Sequence, residues 1–468
     1  MTTVLPQASS KELPPPTVGR VTKLAAPTIA EQFIVAFIGV TDTWLAGHIP
    51  GDSKTVAAAA AAVGTMMYIQ WFAGLMTSFI GTGAIAIVSR SIGARRIRVA
   101  NRVAGTAVAT AFLVGLFVAV SLFTFAGPFV RVVGLEGLAA DFGKQYLQIM
   151  CVTLCFQSAA QIGMACLRGA GDTLRPMLIM ALVSVVNLVA SSVLTFGLFG
   201  LPAFGIRGNA AGTLLAFFTG GMITIYLLVS GRAGLKLRLN HLRVVPHVVA
   251  RIGKIGIPSW LEGMLLWGGQ FLIVVLVINA IGDKTVTMAA HGAVLRIESF
   301  SFLPGFGFGM AASALVGQYL GAKRPDQAMR AAHVANRLGL ITMTVMALPM
   351  VFLPSLMIWL MVWSPEVISV GFWPMILAGL AQPGFAFAIV YGSALRGAGD
   401  TVSPMIATIS GMILRIIIVL PAAYWLKAHN LSHYALTAVW IAIFIDLNYR
   451  AVFNTITFHR GKWQHKRV

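Results

Sequence analysis

The chain has 468 residues, of which 58% are hydrophobic and only 10% charged, and its formal net charge is +20. Soluble proteins carry about 25% charged residues, so this composition excludes a soluble multidomain enzyme and a disordered chain, while three cysteines are too few for a disulfide-stapled secreted domain. A polytopic membrane protein remains, and the bilayer restricts it to helices or a closed barrel.

The hydrophobic stretches are long and continuous, as in 179–198 and 214–229. A barrel strand alternates apolar and polar residues over about ten positions, whereas a spanning helix needs about 20 apolar residues. The pattern therefore predicts an all-α membrane protein, and the polar N-terminal segment lacks the apolar core of a secretory signal. We expect twelve spans, approximately 24–48, 58–88, 104–133, 143–166, 176–200, 209–231, 256–281, 286–317, 335–362, 367–393, 404–426 and 434–457.

The basic residues are distributed unevenly over the predicted loops. If the N-terminus is inside, most of the 34 lysines and arginines fall in inside segments, which is the asymmetry typical of membrane proteins. The outside segments hold only Lys54, Arg131, Lys144, Arg207, Lys284 and Lys427. The positive charge therefore indicates contact with an anionic inner leaflet and not nucleic-acid binding. We expect a multi-pass protein of the plasma (inner) membrane with both termini in the cytoplasm.

The second half of the chain repeats the first. Leu167–Met177 reads LRGAGDTLRPM and Leu395–Met405 reads LRGAGDTVSPM. The same offset of 228 residues aligns Gly93 with Gly321. Further upstream the offset becomes 231, and there Pro27 aligns with Pro258 and Glu31 with Glu262. Because six spans per half is an even number, both halves enter the membrane with the same polarity. We expect two pseudo-symmetric six-helix bundles around a central cavity, related by an axis along the membrane normal.

These features predict bundles at 24–231 and 256–457, joined by a cytoplasmic linker at 232–255. A cytoplasmic segment at 1–23 precedes the first bundle, and a basic tail at 458–468 follows the second. The shared RGAGDT motif lies at a turn in each half, where glycine permits a tight reversal and aspartate can bond its own backbone. We interpret the motif as a structural turn that makes no substrate contact.

In these features the chain resembles the multidrug and toxic compound extrusion (MATE) family over residues 20–457. The resemblance includes the twelve spans, the related halves and the paired LRGxGDT turns. It also includes Thr41-Asp42-Thr43 in the first span and Pro258 followed by Glu262 in the seventh. It implies efflux of bulky, usually cationic compounds in exchange for protons or sodium ions.

Acidic residues within the predicted spans are candidates for this coupling. They are Glu31, Asp42, Glu262, Glu298 and Asp446. An ionised carboxylate at the bilayer centre costs about 2.5–3.5 kcal/mol on insertion scales, so such groups usually face an internal cavity. Glu31 and Asp42 are about three helical turns apart on a similar face, and Pro27 permits bending one turn before Glu31. A bend that responds to protonation would act as a gate; the alternative is a carboxyl permanently hydrogen-bonded between helices.

The resemblance implies that Asp42 forms the first-half coupling site with Gln161, Asn187 and Thr213. Where some family members carry a second aspartate one turn after the asparagine, this chain has Ser191. Hard cations need several oxygen ligands, so Na⁺ at Asp42, Asn187 and Thr213 is less favoured than a proton, and we assign no firm metal site.

Glu262 matches the seventh-span glutamate of the family. Members with a sodium site in the second half pair this glutamate with an aspartate in the tenth span, but Phe372–Ser393 contains no acidic residue. Protons are again favoured. Glu31 mirrors Glu262 through the repeat, so we assign both to coupling, with a packed, protonated glutamate as the alternative.

Aromatic and methionine side chains suit lipophilic cations. The predicted substrate cavity contains Trp71, Trp260, Trp267, Met264, Glu298 and Phe300. Lipid contact or core packing is the alternative for each aromatic residue. Elsewhere, Asp446 and Arg450 are spaced to pair on one helix face, while Arg415 has two candidate partners, Asp446 or a cavity carboxylate.

The sequence contains no Walker motif, no HExxH and no GxSxG, so we expect neither an ATP motor nor an enzyme, and no cofactor. We predict a monomeric secondary antiporter that exports small, cationic or lipophilic organic compounds in exchange for protons or sodium by alternating access. The alternative is a lipid-linked oligosaccharide flippase of the same superfamily. Its phosphate-bearing substrate would need a basic cavity, whereas acids outnumber bases within these spans.

Overall fold

The computed structural model describes residues 13–231, 234–273 and 284–466, without the side chains of residues 67, 68, 70, 71, 239 and 271. These residues form fourteen α-helices and no strand. The helices are α1 (Val18–Ala46), α2 (Ser53–Gly93), α3 (Ile97–Thr124), α4 (Ala126–Val132), α5 (Gly137–Ala170), α6 (Leu174–Phe196), α7 (Ile206–Ser230), α8 (Pro246–Ile273), α9 (Lys284–Gly321), α10 (Pro325–Phe352), α11 (Pro354–Trp359), α12 (Pro365–Gly397), α13 (Val402–Ala428) and α14 (Ala435–His459).

The predicted all-α membrane fold is confirmed. In the described part of the chain, eleven helices are long and apolar enough to cross a bilayer. The position of the seventh predicted span is taken by α8, and residues 274–281 of that span lie outside the described residues. A spanning helix satisfies its backbone hydrogen bonds internally, which is why uninterrupted apolar runs predicted the elements well.

The order of long and short helices in α1–α7 recurs in α8–α14. The short helices α4 and α11 were not predicted, because each continues an apolar run that reads as a single span. Proline explains both breaks: Pro128 cannot donate a backbone hydrogen bond to the preceding turn, and Pro354 begins α11 after the non-helical Leu353.

Helix α8 begins at Pro246, well before the predicted span start at residue 256. Val248, Ile252 and Ile255 are buried, and their spacing places them on one face of the helix. The basic residues between them are exposed. Much of the predicted linker is therefore an amphipathic extension of α8 outside the apolar span.

The two bundles meet through α1, α2, α8 and α9. Contact is closest at the end that carries the two RGAGDT turns, which we call the motif end. A Cβ atom on Gly93 would lie 1.8 Å from the Gln318 carbonyl oxygen, and one on Gly321 would lie 2.1 Å from that of Arg90. Glycine at these positions lets helix backbones from the two halves touch directly.

The C-terminal tail also packs at the motif end. Trp463 is fully buried and stacks on Phe458 with ring centroids 4.8 Å apart. Lys466 Nζ lies 2.8 Å from Asp400 Oδ1, and Arg90 of the first half donates to the Lys466 carbonyl at 2.5 Å. The tail therefore bridges the two halves.

Candidate functional site

Asp42 lies near the end of α1 and is only 4% exposed. Asn187 of α6 donates from Nδ2 to Asp42 Oδ1 at 3.1 Å, and the Thr213 hydroxyl of α7 lies 3.2 Å from each carboxylate oxygen. Asn209, also on α7, donates to the backbone carbonyl of Asp42 at 2.9 Å. Neutral donors from two helices thus surround a buried carboxyl group.

Glycines of α7 make this arrangement sterically possible. A Cβ atom on Gly208 would lie 2.3 Å from the Leu194 carbonyl oxygen, and one on Gly212 would lie 2.3 Å from the Ser191 backbone nitrogen. The close approach of α6 and α7 brings Asn187 Nδ2 within 2.9 Å of the Thr213 hydroxyl. Sequence reasoning missed Asn209, although a polar residue one turn before Thr213 in an apolar span was a usable signal.

Asp42 borders a cavity of about 550 Å³, which lies within the range of about 300–1,000 Å³ typical of small-molecule sites. Its lining residues among those that the structure describes all belong to α1, α2, α5, α6 and α7 of the first half. The polar residues among them include Glu31, Asp42, Gln157, Gln161 and Arg168. Gln161, placed near Asp42 by the family resemblance, lines the same cavity but is not among the hydrogen-bond donors to its carboxylate.

Glu31 of α1 pairs with Arg168 of α5, whose Nη1 lies 2.6 Å from Glu31 Oε1. Our interpretation of the RGAGDT motif as a turn alone was therefore incomplete, because its arginine lines the cavity. The remainder of the motif does form the expected turn: Gly171 has φ +93°, and Asp172 accepts from the Arg175 backbone N–H at 3.2 Å. A left-handed residue of this kind ends a helix at low cost when it is glycine.

The second half contains the repeat-related pair. Arg396 Nη1 of α12 donates to both oxygens of Glu262, at 3.1 and 3.0 Å, and Thr408 of α13 donates to Oε1 at 3.1 Å. Sequence reasoning missed both arginine partners. The signal was available, since the two glutamates and the two motif arginines occupy matching positions in the repeat.

A second buried network lies within the second half. Arg450 donates from Nε to Asp446 Oδ1 at 2.6 Å, which confirms the predicted pairing. Arg415 also donates to Asp446, and to Gln270 Oε1 at 2.8 Å, which decides between its two candidate partners. Glu298 of α9 is 5% exposed and does not line the first-half cavity.

The predicted aromatic and methionine contacts do not line the cavity beside Asp42. Trp260 and Met264 are partly buried on α8, and Trp267 is 48% exposed. Phe300 is 46% exposed and stacks on Phe33 of α1 with ring centroids 6.4 Å apart. The side chain of Trp71 lies outside the described residues. Contact between these side chains and a substrate stays a prediction.

The molecule combines two repeated helix bundles with buried carboxylates and a cavity beside them. These features are typical of membrane transporters, and we place the protein in that class. A family model described as MatE matches residues 27–193 and 258–420, one match in each half. The chain belongs to this family, and the resemblance inferred from its motifs is confirmed.

Relatives and solved structures match over nearly the whole chain. A probable multidrug resistance protein NorM of Thermotoga maritima is 26% identical, covering 95% of this chain and 93% of its own length. The multidrug resistance protein MdtK of Yersinia enterocolitica is also 26% identical, over 95% and 94%. The fold is similar to that of a multidrug resistance MATE family transporter in an outward-facing conformation, with a TM-score of 0.84, 20% identity and coverage of 97% and 98%.

Proposed function

We propose that this protein is a monomeric antiporter that exports small, lipophilic organic cations across the plasma membrane in exchange for protons. The observation that carries this proposal is the buried, hydrogen-bonded Asp42 at the edge of an internal cavity. Family membership and relatives named as multidrug resistance proteins support an efflux role.

Asp42 can exist in two protonation states without rearrangement of its neighbours. The Thr213 hydroxyl lies 3.2 Å from the carboxylate and 3.1 Å from the Asn209 carbonyl oxygen. A hydroxyl has one proton to donate and two lone pairs that accept. It can donate to ionised Asp42, or accept from protonated Asp42 while donating to the Asn209 carbonyl. The site thus supports both the negative form that attracts a cation and the neutral form that releases it.

The other two candidate coupling acids differ from Asp42 in having a basic partner. Glu31 pairs with Arg168, and Glu262 with Arg396. Each glutamate therefore has its charge balanced within the protein, whereas the side chains that bind the Asp42 carboxylate are neutral. We therefore assign the exchanged proton to Asp42 and a supporting role to Glu31 and Glu262.

The ligand set favours a proton over sodium at Asp42. Asn187 presents its NH₂ group, which can donate but cannot bind a cation, to the carboxylate. Ser191 supplies a hydroxyl in place of a second carboxylate. Sodium would need several converging oxygens, whereas a proton needs only the carboxylate and an acceptor.

Alternating access would use the contact between the halves. If both termini are cytoplasmic, the motif end faces the cytoplasm, and the close packing of α2 on α9 closes the molecule on that side. A proton entering from outside neutralises Asp42 and releases the exported cation. Rocking of the bundles then opens the motif end, and proton release inside restores the negative site.

The direct test is uptake of a fluorescent organic cation such as ethidium into inside-out membrane vesicles. We expect an imposed pH gradient to drive uptake and an equal sodium gradient not to do so. Asp42→Asn should abolish the pH-driven uptake at unchanged expression, while Asp141→Asn, which removes an exposed carboxylate on α5, should not. Full activity of Asp42→Asn, or uptake driven by sodium alone, would contradict the proposal.

A lipid-linked oligosaccharide flippase is the competing function. Its anionic substrate would need a basic cavity, whereas the charged lining residues here are two acids and one base, namely Glu31, Asp42 and Arg168. The vesicle assay separates the two functions, because a flippase would move no ethidium under either gradient.

A further inference from the structure

We propose that Arg168 neutralises the charge of Glu31 and so leaves the cavity with one net negative charge. A cavity with this charge selects monovalent over divalent organic cations. The inference deepens the proposed function and rests on it. It assigns a specificity-determining role to the arginine of the RGAGDT motif.

The charge inventory of the cavity is short. Among its lining residues in the described part of the chain, the acidic and basic ones are Glu31, Asp42 and Arg168. Arg168 Nη1 lies 2.6 Å from Glu31 Oε1, so these two charges cancel within the cavity wall. Ionised Asp42 then supplies the net charge of the site, and a single proton on Asp42 brings that charge to zero.

Net charge matters here because the acidic side chains of the wall, Glu31 and Asp42, are each only 4% exposed. Interactions between charges are several-fold stronger in a protein interior than in water, and an uncompensated charge is costly to bury. A monovalent cation balances Asp42. A divalent cation leaves one positive charge uncompensated and also faces the guanidinium of Arg168.

The Glu31–Arg168 pair is less completely bonded than its repeat-related counterpart. Glu31 Oε2 and Arg168 Nε are buried without a hydrogen-bond partner among the described residues, and Glu31 itself is 4% exposed. Glu262, by contrast, has both oxygens bound by Arg396 and one also by Thr408, and it does not line this cavity. The first pair is therefore held by fewer hydrogen bonds than the second, and it contributes no net charge to the cavity.

Contacts with both bundles fix the position of Arg168. It lies in the last turn of α5, and the carbonyl of the next residue, Gly169, accepts from Gln318 Nε2 of α9 at 3.2 Å. Gly171 then ends the helix in a left-handed conformation. The backbone contacts of α5 thus fix the position of the Arg168 guanidinium group, which does not move with the substrate.

The test compares export of ethidium, which carries one positive charge, with that of propidium, which has the same ring system and two. Arg168→Gln makes the cavity doubly negative, and we expect the propidium-to-ethidium ratio of initial rates to rise about tenfold. The double variant Glu31→Gln/Arg168→Gln restores a single negative charge and should return the ratio to that of the unmodified protein. Arg175→Gln removes a positive charge from the same turn without altering the cavity wall, and should leave the ratio unchanged.

Glu31→Gln alone makes the cavity neutral and should lower ethidium export about tenfold, which provides a second test if Arg168→Gln does not fold. An unchanged ratio in folded Arg168→Gln, an altered ratio in the double variant, or full ethidium export by Glu31→Gln would overturn the role of Arg168. Failure of the unmodified protein to export either dye would instead overturn the proposed antiport function.

Discussion

At the scale of single residues, the three acids on α1 and α8 occupy two different environments. Asp42 is surrounded by the neutral side chains of Asn187 and Thr213, whereas Glu31 and Glu262 each face an arginine. The charge of each glutamate is balanced by its arginine, while the side chains that bind Asp42 carry no charge. This difference is the reason for proposing Asp42 as the coupling acid and the two glutamates as charge-balancing acids.

Replacement of Thr213 by valine tests whether the Thr213 hydroxyl group is needed when Asp42 gains or loses its proton. The variant keeps the side-chain shape but removes the donor to Asp42, and a hydrogen bond to a charged group contributes about 1.5–3 kcal/mol. We expect pH-driven cation efflux to fall about tenfold or more. Thr213→Ser, which retains the hydroxyl, should keep most of the activity. Equal efflux rates for the valine and serine variants would show that the hydroxyl has no part in coupling.

Sequence reasoning found part of this site and missed the rest for a physical reason. Asp42, Asn187 and Thr213 are polar residues in apolar spans, where their cost makes them conspicuous. Arg168 and Arg396 lie at the ends of spans, where arginine is usual near a cytoplasmic surface. The repeat register hinted at the two pairs, but the inward direction of the arginine side chains depends on the three-dimensional packing.

At the scale of helices, the apolar runs predicted where spanning elements lie but not where they break. A hydropathy pattern records burial in lipid, so it continues through Pro128 and Pro354 even though proline interrupts the helix there. The pattern also could not place the contacts between halves. Those contacts depend on glycines such as Gly93 and Gly256, whose partners are remote in sequence.

Gly256→Ala tests the packing of α8 against α2. A Cβ atom would lie 1.9 Å from the Phe79 carbonyl oxygen, and overpacking of this kind costs about 1–3 kcal/mol. We expect a lower thermal unfolding midpoint in detergent. Gly268→Ala, on the same helix but with no heavy atom within 4 Å of the added carbon, should be neutral or slightly stabilising. Equal midpoints for the two variants would contradict the assigned helix contact.

At the scale of the whole molecule, the halves are held together at the motif end by both glycine contacts and the C-terminal tail. Lys466 of the tail pairs with Asp400 of the second half, and its carbonyl accepts from Arg90 of the first. Sequence reasoning predicted only a basic cytoplasmic tail, because short polar segments carry little signal about packing. The tail would have to release at least one of these contacts when the motif end opens.

Truncation after Arg460 removes this bridge together with the buried Trp463. We expect the motif end to open more often, seen as longer distances between spin labels at positions 96 and 323 in a background in which the buried cysteines are replaced. Arg460→Ala, which alters an exposed side chain and keeps the tail, provides the control. An unchanged distance distribution after truncation would show that the glycine contacts alone close this end.

We propose that a single carboxyl group, Asp42, exchanges its proton for the exported cation. The most direct measurement is proton release when a monovalent cation such as ethidium binds to the purified protein in weakly buffered detergent solution containing a pH indicator. We expect cation binding to release a proton, and we expect this release to be lost in Asp42→Asn and to persist in Glu262→Gln. Undiminished proton release from Asp42→Asn, or its loss in Glu262→Gln alone, would contradict the account.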